Sequence, residues 1–292
     1  MKLLITGGSG FVGRNLAEQY SGRYEVLAPS RSELDLLDAV AVCDYLEAHR
    51  FDVVIHSATD RSNRGMAAGA KLLDRNCRMF FHLARNTSLY GGMLSLSSGA
   101  IYDRAYAQSR MKEEDFDRRI PTDDYGFSKY ICAKAISGME RVTEMRLFGV
   151  FGRYEDWRVR FLSNACCRAV WDMPVLIRQN VFFDYLDVED LGWILETFIR
   201  NKPRHKHYNV CTGRAFDLKT LAGMVVEASG KKLEIVVKNQ VLGNEYSGDN
   251  ARLLEEIPDF HFRDMRDSIA RLYEWYAARK TAIDPRLLGF DE

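Results

Sequence analysis

The chain has 292 residues, with 41 Lys plus Arg against 41 Asp plus Glu, so its formal net charge is zero. Binding a phosphate polymer draws on clustered basic charge and counterion release, and this balance argues against a dedicated nucleic-acid binder. With 47% hydrophobic and 28% charged residues, the composition is that of a folded globular chain rather than a disordered or fibrous one.

No stretch approaches the ~20 apolar residues that a membrane helix needs. The opening MKLLITGGSG meets glycines too early for a signal peptide, so a soluble, cytoplasmic protein without membrane contact is expected. Cys43, Cys77, Cys132, Cys166, Cys167 and Cys211 form no C-x-x-C pair and have no histidine at zinc spacing. They read as reduced, mostly buried thiols, and no metal is expected.

In chain order, apolar runs at residues 2–5, 24–28, 53–57 and 93–97 predict short buried strands. Helical spacing at 14–20, 39–49 and 71–85 falls between them. A crossover helix is what joins parallel strands, so the alternation predicts a parallel sheet with helices on both faces. Beyond residue 150 the pattern is less regular, with helices over 160–170, 190–199, 218–229 and 266–278 and extended runs at 175–178, 182–186, 208–211 and 233–237. Neither an internal repeat nor a low-complexity linker interrupts it, which points to two interleaved lobes.

Thr-Gly-Gly-Ser-Gly-Phe-Val-Gly at 6–13 lies between a predicted strand and a predicted helix. There Gly7 makes the sharp turn, Gly10 lets backbone approach a pyrophosphate, Gly13 permits close helix packing, and the helix start at Phe11 and Val12 offers N–H groups to an anion. The end of the second strand carries Pro29, Ser30, Arg31 and Ser32 rather than a carboxylate for a ribose 2′-hydroxyl. Arg31 paired with a 2′-phosphate, and Ser30 bonded to it, favour NADP over NAD.

Tyr125-Gly-Phe-Ser-Lys129 has the spacing that places a phenol and an ammonium on one helix face. A tyrosine with its ordinary pKa near ~10 is a poor proton carrier at neutral pH, and a neighbouring cation lowers that value. Upstream, Ser98 ends a predicted strand within Leu-Ser-Ser-Gly-Ala-Ile-Tyr at 96–102, where open α/β sheets place their ligands.

The glycine turn, the Ser-Ser-Gly-Ala-Ile-Tyr segment and Tyr-x-x-x-Lys, in this order, resemble the extended short-chain dehydrogenase/reductase superfamily, in its nucleotide-sugar epimerase, dehydratase and reductase branch. Arg-Leu-Phe-Gly-Val-Phe-Gly at 146–152, Phe-Asp-Tyr-Leu-Asp-Val-Glu-Asp at 183–190 and Tyr-Asn-Val-Cys-Thr-Gly at 208–213 are similar to its later landmarks. The stretch from Ser30 to Asp38 is similar to reductases that make deoxyhexoses.

The resemblance implies an α/β fold: a Rossmann-type doubly wound parallel sheet over 1–152, and a smaller, interleaved C-terminal α/β substrate lobe over 153–292, with segments near 181–200 and 206–213 returning to the first domain. It implies that Ser98 orients the substrate carbonyl or hydroxyl, Tyr125 moves the proton, and Lys129 tunes Tyr125 and holds the nicotinamide ribose. Asp35 and Leu36 would lie by the adenine, Ser57 and Ala58 along the cofactor, Asn76 near the active-site wall, and Phe148 also on the cofactor side. A homodimer through the helices near 71–85 and 125–138 is implied as well.

Departures narrow the chemistry. Dehydratases of the family carry an Asp-Glu pair after the serine, where this chain has Gly99 and Ala100. Members that epimerise beside the ketone use a cysteine at the position of Ala100 and a histidine near Arg158 and Arg160, and an arginine cannot act as base at neutral pH. Phe183 replaces an arginine that grips the substrate diphosphate, and Gly149 replaces a sugar-contacting asparagine. Arg153, Arg158 and Arg160 are the expected substitutes. The first expectation is an NADPH-dependent reductase of a nucleoside-diphosphate 4-keto-6-deoxy sugar. The alternative is a nucleotide-sugar 4-epimerase with bound NAD, and a non-catalytic NADP-sensing regulator is the weaker one.

Overall fold

A computed structural model describes residues 1–60, 69–106 and 108–289. The first half runs β1 (Lys2–Thr6), α1 (Phe11–Tyr20), β2 (Glu25–Leu27), α2 (Ala39–His49), β3 (Phe51–His56), α3 (Gly69–Ala84), β4 (Tyr90–Ser98), α4 (Asp124–Ile136) and β5 (Val142–Leu147). There follow β6 (Gly149–Phe151), α5 (Phe161–Val170), β7 (Val175–Gln179), β8 (Phe182–Phe183), β9 (Tyr185–Asp187), α6 (Val188–Arg200), β10 (His207–Val210), β11 (Phe216–Asp217), α7 (Leu218–Ser229), β12 (Ile235–Asn239), α8 (Ala251–Glu256) and α9 (Met265–Ala277).

Six strands form the central sheet in the order β10-β5-β4-β3-β1-β2, every neighbouring pair parallel. Strands buried on both faces read as unbroken apolar runs, and Leu3, Leu4 and Ile5 are fully buried. One sheet face packs on α1 and α6 through Leu16, Tyr20, Leu191 and Leu195, the other on α2, α3 and α4 through Val42, Leu46, Phe80 and Ile136. The register sets Thr6 beside His56, His56 beside Ser95, and Ser98 beside Leu147, so the carboxyl ends of these strands share one edge. A separate core joins α5, α7 and α9 to β7 and β12, centred on Cys166, Leu221 and Ile269. All six cysteines are free; Cys43 and Cys77 are half-buried and the rest buried.

Aspartates start most of the helices. Asp38, Asp123, Asp187, Asp217 and Asp264 each accept a first-turn N–H of α2, α4, α6, α7 and α9. Helix α1 is different: Gly10 provides no side-chain cap, and its first turn has no acidic residue. Among the described residues no helix is long and apolar enough to cross a membrane, and no group of His, Cys, Asp and Glu is arranged to hold a metal ion.

Candidate active site

The glycine turn joins β1 to α1 at the point where the sheet order reverses. Gly10 N–H donates to Gly7 O at 2.9 Å, and Gly7 has φ +71°, a conformation that glycine adopts without strain. A Cβ on Gly13 would stand 2.2 Å from Gly7 O, and one on Gly7 would stand 2.9 Å from Ala58 backbone. The end of β3 is thereby pressed against the turn. Ser57 Oγ donates to Thr6 O at 2.6 Å, and Ala58 N–H donates to Thr6 Oγ1 at 3.3 Å. The open first turn of α1, preceded by Gly7, Gly8 and Gly10, forms a cradle that fits a pyrophosphate.

A cleft of about 2190 Å³ runs from this turn to the second lobe. Gly7, Gly10, Phe11, Val12, Gly13, Arg31, Asp35, Leu36, Ser57, Ala58, Ser98, Tyr125, Phe148, Arg158 and Arg160 line it. Ser30, Asn76, Lys129 and Arg153 are absent from its lining. Ser30 Oγ and Ser32 Oγ share a hydrogen bond of 2.9 Å, and Ser30 N–H donates to the Glu33 carboxylate at 2.7 Å. Arg31 is exposed, with one loose ion pair of 3.4 Å to Asp35. Asn76 Oδ1 accepts from Asp60 N–H at 2.7 Å, and Asp60 pairs with Arg75 at 2.7 Å. Asn76 thus braces the cleft wall from behind. Arg153 turns to Glu189 at 3.7 Å.

Ser98 ends β4, and its Oγ accepts from Ala100 N–H at 3.2 Å, which leaves its own proton to donate. Asp123 starts α4 by accepting from Gly126 N–H at 2.8 Å, so Tyr125 enters the cleft from the first turn. Lys129, one turn on, is buried and donates to Leu96 O at 3.1 Å. Its ammonium lies 5.8 Å from the Tyr125 ring centre. Beneath them a small cavity is lined by His56, Asn76, Lys129 and Cys132. Burial, and then the Lys129 charge, hold the His56 imidazole down at about 3, so it stays neutral, its Nδ1 2.9 Å from Thr6 Oγ1.

The two family departures have physical causes. A side chain at Gly149 would meet Asp184 O at 2.8 Å and the Tyr185 ring at 3.0 Å, so an asparagine does not fit. Phe183 packs at 5.5 Å on Tyr185 and at 5.5 Å on Tyr246. An aromatic wall therefore stands where the resemblance implied an arginine. Near it, Arg160 precedes α5, whose first turn has neither a side-chain cap nor an acidic residue, while Arg158 is held bidentately by Asp156 at 2.7 and 2.9 Å. Arg178 also lines this end. The sequence reading missed Arg104 and Tyr246, both on the cleft; Tyr246 belongs to a segment with no periodic pattern, and Arg104 follows the serine motif without a motif of its own.

A family model described as "NAD dependent epimerase/dehydratase family" matches residues 3–211. The chain is 23% identical over 302 residues to GDP-6-deoxy-D-talose 4-dehydrogenase of Aggregatibacter actinomycetemcomitans, covering 94% of this chain and 97% of the relative. UDP-glucose 4-epimerase from Thermotoga maritima superposes with a TM-score of 0.82 at 19% identity, covering 97% of this chain and 100% of that one. GDP-mannoheptose C4 reductase from Campylobacter jejuni, with NADP bound, superposes with a TM-score of 0.76 at 19% identity, covering 94% and 98%. At such identities the solved structures establish the fold.

Proposed function

The chain belongs to the NAD dependent epimerase/dehydratase family, and on that premise we propose that it is an NADPH-dependent reductase of a nucleoside-diphosphate 4-keto-6-deoxy sugar. The carrying observation is that Ser98 and Tyr125 line the same cleft as the glycine turn, with the Lys129 ammonium 5.8 Å from the Tyr125 ring. A nicotinamide cofactor held by the glycine turn and Arg31 would supply the hydride. Ser98 donates to the ketone oxygen, Tyr125 delivers the proton to that oxygen as it gains charge, and Lys129 stabilises the phenolate left behind. Solvent then reprotonates Tyr125.

Three further features support this reading. Gly99 and Ala100 offer no acid-base pair for eliminating water, and Gly99 is fixed as glycine, because a Cβ there would meet the Phe148 ring at 2.7 Å. Arg31, exposed at the adenosine end, suits a 2′-phosphate. Arg160 with the open start of α5 suits the diphosphate of the sugar nucleotide. The division at residue 152, with α6 and β10 returning to the sheet, belongs to the same reading, as does a homodimer through α3 and α4.

One observation favours a 4-epimerase holding NAD instead. The Glu33 carboxylate rests on Ser30 N–H at 2.7 Å, where it can accept from a ribose 2′-hydroxyl. The purified protein separates the two. As a reductase it oxidises free NADPH stoichiometrically with a ketosugar nucleotide. Interconversion of two hydroxy-sugar nucleotides without net cofactor oxidation would establish the epimerase.

A further inference from the structure

Behind Ser98 lies a phenol that the mechanism above does not use. Tyr246 stands between β12 and α8, with its ring 5.2 Å from Phe148 and 5.5 Å from Phe183. Its backbone is tied in place: Tyr246 N–H donates to Phe182 O at 2.8 Å, and Asp184 N–H donates to Tyr246 O at 3.2 Å. The side chain is buried. Its hydroxyl shares side-chain hydrogen bonds with Ser98 and with the Arg104 guanidinium, and that guanidinium also covers the ring at 5.2 Å from its centre.

Two residues that depart from the expected pattern make room for it. A Cβ on Gly99 would stand 2.8 Å from the Tyr246 hydroxyl and 2.7 Å from the Phe148 ring, so glycine there leaves the phenol its path to Ser98. Phe183 packs on Tyr246 where the resemblance implied an arginine. Both departures thus serve a phenol fixed against the serine.

Donor and acceptor capacity set the direction of the chain. An arginine only donates, so the Tyr246 oxygen accepts from Arg104 and the phenolic proton turns to its other partner, Ser98 Oγ. That Oγ also accepts from Ala100 N–H at 3.2 Å. A hydroxyl has two acceptor lone pairs and one proton. With both lone pairs taken, Ser98 can only donate, and it lines the cleft. Burial raises the Tyr246 pKa more than the Arg104 charge lowers it, which keeps the phenol protonated at neutral pH, as the chain requires. A cation at the head of such a chain polarises the bonds that follow.

We propose that Tyr246, with Arg104 behind it, is a positioning residue that holds the Ser98 hydroxyl with its proton aimed into the cleft. This deepens the proposed function and rests on the role given there to Ser98.

Double-mutant cycles on the full chain separate this role from a merely structural one. With NADPH and GDP-, dTDP- and UDP-linked 4-keto-6-deoxyhexoses, Tyr246→Phe is expected to lower kcat about 10-fold or more and to leave KM within about 2-fold, because the aimed proton matters most as the ketone oxygen gains charge. In a Ser98→Ala background the same substitution is expected to change kcat less than about 2-fold. An unchanged kcat, a loss confined to KM, or equal losses in the two backgrounds overturns the proposal. Urea unfolding reads the bond without turnover: the midpoint shift of the double variant is expected to be smaller than the sum of the single shifts, and additive shifts also overturn it. If wild-type protein oxidises no NADPH with any of these sugars, the reductase reading fails, and the unfolding cycle alone decides whether the Tyr246 assignment stands.

Discussion

The Lys129 ammonium lies 5.8 Å from the centre of the Tyr125 ring and is held there by the carbonyl of Leu96 at 3.1 Å. A cation this near the ring favours the phenolate form. Tyr125→Phe is expected to lower kcat by ~10²–10⁴ with NADPH affinity kept, as read by NADPH absorbance and cofactor fluorescence. Lys129→Met is expected to lower the rate of reduction and to move the falling, alkaline limb of the pH-rate profile to higher pH, since Tyr125 donates only when protonated and holds its proton longer once the phenolate loses its counter-charge. Full turnover by Tyr125→Phe would remove the proton-transfer role.

Cofactor choice depends on one exposed side chain. Among the described residues Arg31 has only the 3.4 Å pair with Asp35 to leave, so turning to a 2′-phosphate breaks little. A hydrogen bond to a charged group contributes about 1.5–3 kcal/mol, and Arg31→Ala is expected to cut the preference for NADPH over NADH by ~10-fold or more. Salt should erode the wild-type preference, because the pair forms in water. A preference that does not change in Arg31→Ala would move the 2′-phosphate contact elsewhere, or support bound NAD.

Gly13 is held by space rather than by dihedral freedom. A Cβ there would lie 2.2 Å from Gly7 O and 2.9 Å from Ser57 Oγ, so Gly13→Ala forces the turn away from the end of β3. The expected loss is more than ~2 kcal/mol of stability together with cofactor binding, measured by urea unfolding and NADPH titration. A variant that keeps both would show that the turn has room to shift.

The elements with a clear hydrophobic period were legible in the sequence. β1, α2 and α7 lie where alternation and spacing put them, and the glycine turn sits between strand and helix as its spacing implies. Short elements were not legible: β6 has residues Gly149–Phe151 and β11 has Phe216–Asp217, too few to show a period, and tertiary packing against β9 and β8 defines them. Ser98 and Tyr125 could be singled out from the sequence because they belong to ordered motifs, and both line the cleft. Tyr246 could not, because its position beside Gly99 is set by contacts between segments far apart in the chain. Arg153 shows the reverse limit: its place in a basic cluster suggested a ligand contact, whereas its guanidinium faces Glu189.

Acid stability is governed by two buried groups whose protons move in the same direction. Glu144, buried on β5 next to the edge strand β10, pairs with Arg146 at 2.8 Å and with His207 at 2.8 Å. Burial alone would raise its carboxyl, yet Arg146 and then His207 bring it down to about 2. In the unfolded chain the carboxyl returns to its ordinary range near ~4.3, so its contribution is present above that range and is lost as pH falls towards 2. His56 titrates at about 3 in the fold against ~6.5 unfolded. Its neutral form is the folded one, so this contribution is intact above pH ~6.5 and falls away on acidification towards 3. In both cases the unfolded chain binds more protons, which makes stability rise with pH. Urea unfolding should therefore show stability falling steadily below pH ~6.5, at about 1.4 kcal/mol per pH unit for each group in its range. His56→Phe should flatten the upper part of that slope. Glu144→Gln should flatten the lower part, and at neutral pH it should cost ~3–5 kcal/mol, because Arg146 is left buried without its carboxylate. A Glu144→Gln protein as stable as the parent at pH 7 would mean that Tyr102, which accepts from Arg146 at 2.9 Å, suffices to hold that charge.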